Sequence, residues 1–456
     1  LDVLANYTSG VTMKLSAIKV VLSAILVSLG LFFGVSLTVD HSSTGDSTLT
    51  LDFGNYEIKS TNSADGNAIE ALNNMCEKYG YSITYDENHN VKTIDGQPNI
   101  GDSRTWGLYT LNGSSWQKYN DDPTTLRLTA SSMTSWALCE SDETPVPIVD
   151  ASGHTYYGFG EVKTIVCLAP SCTETVCALG GEDLIVGTDF YSNYPSSVQY
   201  KRTVLHTITD TGTYTTPSYE IIVKLNPDLV IGIASQNSHV KTIEKLREVG
   251  INGLVTYDGE DLQSVYNNTY MVGVAMGIAE EATKLTQRLK EEVEQTYSAT
   301  SGISDRPSIM TALSINKSPY VAGNNTYIND IYTKSGATNA FSDINGWRQA
   351  SSEKIVEYSP ELIIVMSEEE VSESEYEEII NTLPEEWKTT KAYTNGDIYI
   401  MWGSANDMLS RPSTRLAQVS ELLGRLLHED AFLEKITIPK IVGNNYTDYL
   451  TYSKEL

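Results

Sequence analysis

The chain predicts a multidomain protein. A small β-rich α+β unit comes first, and two α/β lobes joined by a single long helix follow it. Three observations predict the lobes. First, Tyr214-Thr-Thr-Pro-Ser-Tyr-Glu220, with Pro227 and an apolar run to Ile231, returns as Trp347-Arg-Gln-Ala-Ser-Ser-Glu353, with Pro360 and an apolar run to Ile364. Every matched residue lies 133 positions on: Tyr214 to Trp347, Glu220 to Glu353, Pro227 to Pro360. A repeat this long, present twice, reads as duplicated lobes and not as a solenoid. Second, apolar strands alternate with helices on both sides of the repeat, the pattern of a parallel sheet covered on both faces. Third, residues 262–299 between the copies read as helix almost throughout. Leu285, Leu289, Val293 and Tyr297 recur at helical spacing, with charged residues on the other faces. Gly277 divides this stretch into a shorter first helix and a long second one.

Residues 1–46 hold an uncharged run from Val20 to Val39, preceded by Lys14 and Lys19. About 20 apolar residues suffice to span a bilayer, and lysines on the N-terminal flank place that end inside. The expectation is an uncleaved signal anchor, a transmembrane helix followed by a short tether, with the rest of the chain extracellular. The alternative is a secreted protein after signal cleavage.

Residues 47–140 form the β-rich unit. Thr48–Phe53 alternates as a strand, and Asn67–Tyr79 reads as a helix with Ala68, Leu72, Met75 and Cys76 on one face, ending at Gly80. Short strands follow, separated by turn signals at Asp95-Gly96 and Asn112-Gly113. Residues 141–160 are the linker, because Pro145 and Pro147 exclude regular helix.

The two-lobed region spans 161–434, as an N-lobe 161–261, the connecting helices 262–299 and a C-lobe 300–434. In the N-lobe Val162–Leu168, Ile185–Gly187, Leu229–Ile233 and Leu254–Tyr257 are strands. In the C-lobe Ser308–Ile315, Leu362–Met366 and Ile398–Met401 are strands, and Pro412–His428 is a helix. The tail 435–456 has no assignment.

With 31 Lys and Arg against 59 Asp and Glu, the net charge is −28, which excludes a nucleic-acid partner because phosphates need clustered cations. The five cysteines leave at least one free thiol. Cys76 and Cys139 either pair or are core positions. No nucleophile elbow, zinc-protease helix, phosphate loop or Cys–His pairing emerges, so no enzyme is expected.

Residues 47–140 resemble the transcobalamin-like domain family. Asp65-Gly-Asn-Ala-Ile-Glu-Ala-Leu72, Lys78-Tyr-Gly80, Val91-Lys-Thr-Ile-Asp-Gly96 and Trp106-Gly-Leu-Tyr-Thr-Leu-Asn-Gly113 carry that likeness, in the family's order. The resemblance implies a small β-rich fold with one helix and points to a corrinoid.

Residues 161–433 resemble the helix-linked substrate-binding proteins of ABC importers, in the cobalamin and siderophore group. The stretches Leu168–Gly180, Ile185–Pro195, Ser218–Leu229, Ser352–Leu362 and Ser410–His428 carry it. The resemblance implies a periplasmic-binding-protein fold with the ligand between the lobes. In cobalamin-binding relatives, aromatics matching Tyr191, Tyr214 and Trp347 face the ligand. In that family one Glu on each lobe meets arginines of the membrane permease, a role the resemblance implies for Glu220 and Glu353.

Elementary fold physics points to the same cleft, since ligands of open α/β sheets bind beyond the carboxyl ends of the strands. Tyr191, Tyr194, Tyr214, Trp347 and Trp402 follow strands, and Ser171 is counted with them. Tyr214 and Trp347, at equivalent places, are expected to face each other across the cleft. Arg348 would meet a ligand phosphate, propionate or amide oxygen, or a surface acid. The histidines, His206 and His239 among them, lack metal-site spacing. The expected function is capture of a cobalamin or other corrinoid and its delivery to an ABC permease. The alternatives are an iron-siderophore or haem as ligand, and a non-transport adhesion or scavenging protein.

Overall fold

The computed structural model describes residues 47–53, 58–63, 66–98, 102–112, 115–129, 133–141, 145, 148–156 and 159–454. The expected anchor at 20–39 and its tether lie outside the described residues. Among the described residues no helix is long and apolar enough to cross a membrane.

Strands β1 (Ser47–Asp52), β2 (Ile58–Ser63), β3 (Thr105–Asn112), β4 (Ser115–Lys118) and β5 (Met133–Cys139) form one sheet in the order β2-β1-β5-β3-β4. Helix α1 (Ala68–Tyr79) starts where Asn67 and Glu70 cap each other's backbone and ends at Gly80, whose φ of 72° accepts the left-handed turn. Its buried face of Ala68, Leu72, Met75 and Cys76 shares a core with Leu49, Leu51 and Trp136. Cys76 and Cys139 are both buried and are not joined by a disulfide.

Within the stretch read as linker, Ile148–Val149 and Thr155–Tyr156 pair as a hairpin. Its Asp150 is buried, accepts from the Val255 N–H at 2.9 Å and pairs with Arg247. That hairpin is therefore fastened to the first lobe.

The first lobe contains β6 (Ile165–Cys167), α2 (Pro170–Ala178), β7 (Ile185–Thr188), β8 (Thr209–Asp210), α3 (Tyr219–Leu225), β9 (Leu229–Ile233), α4 (Asn237–Glu248) and β10 (Asn252–Thr256). Its strands are all parallel, in the order β8-β7-β6-β9-β10. Both faces are covered, so β9 is buried at every position.

The connector departs from the expected single helix. Helices α5 (Leu262–Ala275) and α6 (Ala279–Thr300) lie against each other, with the Lys290 ammonium 5.2 Å from the Tyr266 ring centroid. One continuous helix would separate those residues by more than 30 Å. Gly277, at φ 75°, turns the chain, and Gly273 lets α6 close in, because a Cβ there would stand 2.2 Å from that of Ala282. Helix α5 packs on α2 and β10 of the first lobe and equally on the second-lobe helix Tyr327–Lys334, and α6 packs on helices of the second lobe. The connector is thus a helical hairpin whose first helix touches both lobes and whose second packs on the second lobe.

The second lobe contains β11 (Ser308–Ala312), β12 (Tyr320–Ala322), α7 (Tyr327–Lys334), β13 (Thr338–Asn339), β14 (Trp347–Gln349), α8 (Ser352–Tyr358), β15 (Leu362–Ser367), α9 (Glu373–Thr382), β16 (Ile398–Trp402), α10 (Ser404–Ser410), α11 (Leu416–Leu427) and β17 (Ile441–Val442). The strand order is β14-β12-β11-β15-β16-β17, with β13 also on β11. Strand β12 is antiparallel to both β11 and β14. The tail belongs to this lobe: β17 extends the sheet beside β16, and the buried Glu421 accepts the backbone N–H groups of Thr451, Tyr452 and Ser453.

Candidate functional site

Both lobes direct the carboxyl ends of their parallel strands at a cavity of about 780 Å³, a size suited to a small-molecule ligand. Phe190, Tyr191 and Tyr214 line it from the first lobe, with Ser171 and Ile233 beside them. Leu313, Met366, Asn406, Asp407 and Arg411 line it from the second.

The loop after β7 carries Phe190 and Tyr191. Its conformation is set by Asp189, whose buried carboxylate accepts from the Tyr191 N–H at 2.8 Å and the Ser192 hydroxyl at 2.5 Å. Burial pushes the Asp189 carboxyl up to about 6, with the Ser192 hydrogen bond opposing it. Tyr191 remains 54% exposed, its ring meeting Phe190 edge-on at 5.4 Å.

Tyr214 sits at the turn of a two-stranded hairpin, Gly212–Thr213 with Thr216–Pro217. His239 holds this turn from below. Its Nδ1 accepts from the Ile233 N–H, so Nε2 carries the proton and donates to the Tyr214 carbonyl at 2.7 Å. Burial lowers the His239 pKa to about 4, keeping the ring neutral at ordinary pH. Among the described residues no group of His, Cys, Asp and Glu has the geometry to hold a metal ion.

The lobes meet beside the cavity in a cluster of charges. Glu174 of α2 is buried, and its carboxylate accepts from Arg411 at 2.9 Å, from Arg415 at 2.6 and 2.9 Å, and from the Ser413 hydroxyl at 2.5 Å. Arg411 also pairs with Asp407 at 2.8 Å and donates to Asn193 Oδ1 at 2.7 Å and to the Tyr191 carbonyl. Asn193 returns a hydrogen bond to Asp407 at 2.8 Å. Burial alone would raise the Glu174 carboxyl, but the charges of Arg415 and Arg411 hold it below the ordinary range.

The remaining residues named from the sequence stand apart from the cavity lining. Trp347 begins edge strand β14, opposite Ala322 on β12, and packs half-buried against the main core. Arg348 is exposed and donates to the Trp347 carbonyl. Tyr194 stacks on the Arg415 guanidinium, 4.3 Å from its centroid. Trp402 faces a separate groove with Tyr376 and Lys440. Tyr214 lines the cavity and Trp347 does not, although both are half-buried and pack on the same core. Glu220 and Glu353 are exposed, each in the first turn of its helix behind a Ser cap, Ser218 and Ser351.

Sequence reasoning missed Glu174, Asn193, Asp407 and Arg411. Glu174, Asn193 and Arg411 fall inside the stretches that carry the family likeness. The signal available was a Glu three residues after Ser171 with no cation near it in sequence, and an Arg preceding Pro412.

A family model described as "Periplasmic binding protein" matches residues 165–404, more than half of the chain. The chain is 27% identical over 293 residues to an uncharacterized ABC transporter substrate-binding lipoprotein, YvrC, of Bacillus subtilis, covering 64% of this chain and 88% of that one. It is 28% identical over 225 residues to a cobalamin-binding protein of Halobacterium salinarum, covering 48% of this chain and 58% of that one. Among solved structures, Helicobacter pylori CeuE aligns with a TM-score of 0.53 at 20% identity, over 69% of this chain and 96% of that one.

Proposed function

The chain belongs to the periplasmic binding protein family, and on that premise we propose that it is the extracellular substrate-binding component of an ABC importer for a corrinoid. The observation that carries the ligand class is the chemistry of the cavity wall. Aromatic and apolar side chains sit among hydroxyls and amides (Ser171, Asn193, Gln199, Asn406), and the lining guanidinium is already paired with carboxylates. Flat apolar area with neutral hydrogen-bonding groups suits a macrocycle fringed with amides. The likeness to a cobalamin-binding protein supports the same class, with the corrinoid as cargo and not as a catalytic cofactor. Glu220 and Glu353 are the groups we assign to permease docking, and their exposure on matching helices supports it.

A ferric ligand, haem or an iron-siderophore, is the second reading. Tyr191 and Tyr214 favour it, since two phenol oxygens near one cavity are hard donors for such an ion. Titrating the protein with cyanocobalamin and with haemin, followed by visible absorbance, separates the two. Saturable cobalamin binding at one site per chain is expected. Haemin binding without cobalamin binding would select the ferric reading.

A further inference from the structure

The cavity contains a cation that it does not offer. Arg411 reaches the lining, yet both terminal nitrogens of its guanidinium are occupied, one by Glu174 and Asn193 and the other by Asp407 and the Tyr191 carbonyl. Arg415 behind it is fully buried and shares Glu174. These two arginines and two carboxylates cancel in charge. Glu368, exposed at the rim, leaves the wall net negative.

We propose that Glu174 and Asp407 are specificity-determining residues: by neutralising Arg411 they make the cavity refuse anionic ligands and accept neutral ones of the same shape. The inference rests on the ligand-binding assignment of this cavity but concerns charge, whichever macrocycle is bound. A ligand carboxylate placed here finds both terminal nitrogens of Arg411 already taken and meets the fields of Asp407 and Glu368. In a site sheltered from bulk water, one such charge changes affinity on the order of tenfold or more. A ligand amide suffers no such repulsion and can both donate and accept.

The test uses two probe pairs that differ in charge at nearly constant shape. One pair is cyanocobalamin and its monocarboxylate, made by hydrolysing a single side-chain amide. The other is haemin dimethyl ester and haemin. The full chain should prefer the neutral member of whichever pair binds by about tenfold or more. Asp407→Asn keeps the side-chain shape, removes one negative charge, and should narrow that preference about tenfold or reverse it. Glu174→Gln should do the same more strongly. If Glu174→Gln does not fold, Asp407→Asn decides. A wild-type ratio within about twofold of unity overturns the proposal, as does an unchanged ratio in folded Asp407→Asn. Binding of the haem pair alone refutes the corrinoid assignment while the charge preference can still be read. Binding of neither pair overturns both.

Discussion

Ser218, Ile222, Asn226 and Asp228 of the first lobe correspond to Ser351, Ile355, Ser359 and Glu361 of the second. Ser218 and Ser351 cap α3 and α8, and Ile222 and Ile355 are each fully buried. Asn226 and Ser359 both end their helix in the left-handed region, at φ 47° and 40°. Asp228 then accepts from the Thr164 N–H at 2.9 Å, and Glu361 from the Ser308 N–H at 3.0 Å. Each acid ties the entry of one strand to the start of its neighbour. The lobes diverge immediately upstream. In the first, a free-standing hairpin places Tyr214 over the strand ends, propped by His239. In the second, the corresponding residue, Trp347, is held in an antiparallel edge strand, and Leu313 lines the cavity instead. The repeat preserved the unit that closes the sheet and left the segment before it free to serve the ligand in one lobe and the sheet in the other.

The largest effect should come from what only the second lobe possesses, its stitched tail. Glu421→Ala strands Arg425 in the core and releases residues 451–453. A loss of about 3–5 kcal/mol is expected, the cost of breaking a buried pair, read as a lower melting temperature. A loss below about 1 kcal/mol would show that the tail holds without it.

The Tyr214 and Trp347 contrast should separate affinity from stability. Tyr214→Ala should weaken corrinoid binding by about 2–4 kcal/mol, or roughly thirty-fold and more, with little change in the ligand-free melting temperature. Trp347→Ala should do the opposite and lower stability by about 2 kcal/mol. If both variants lose affinity equally, the lobes are more alike in function than their backbones are.

Glu292, on the connector helix facing the second lobe, sharpens the comparison through pH. Burial raises its carboxyl to about 7, Arg288 opposes this and Glu421 adds to it. A raised folded pKa means that the contribution is present below about 4.5 and lost as pH rises through about 7. Glu292→Gln should therefore stabilise the protein by about 1–2 kcal/mol at pH 8 and hardly at all at pH 5. A variant with the same pH slope as the wild type would discount this group. Asp189, raised to about 6, gives the first lobe a slope of the same sign.

The smallest effect on the isolated protein should come from Glu220→Lys and Glu353→Lys. Both side chains are exposed, so melting temperature and ligand affinity should stay unchanged while ligand transfer to a reconstituted permease fails. Loss of transfer in only one of the two would mean that the lobes dock unequally.

By itself the sequence determined whatever is local and periodic. Strand β9 over Leu229–Ile233 is an apolar run, α1 is bounded by Asn67 and Gly80, and the 133-residue offset is a chain property; each could be read without coordinates. A cavity between the lobes at the strand ends was legible too, because strand ends and crossovers fix its position. The hairpin form of the connector did not, since periodicity shows that residues 262–299 are helical but not that Gly277 reverses the chain. That Trp347 starts an edge strand was not legible either, because equivalence in a repeat fixes a backbone position, whereas side-chain direction depends on strand pairing. The Glu174–Arg411–Asp407 cluster joins residues more than 200 positions apart. Only tertiary structure could decide it, because burying a charge is tolerable solely where its partner arrives in the same place, and no local pattern records that meeting.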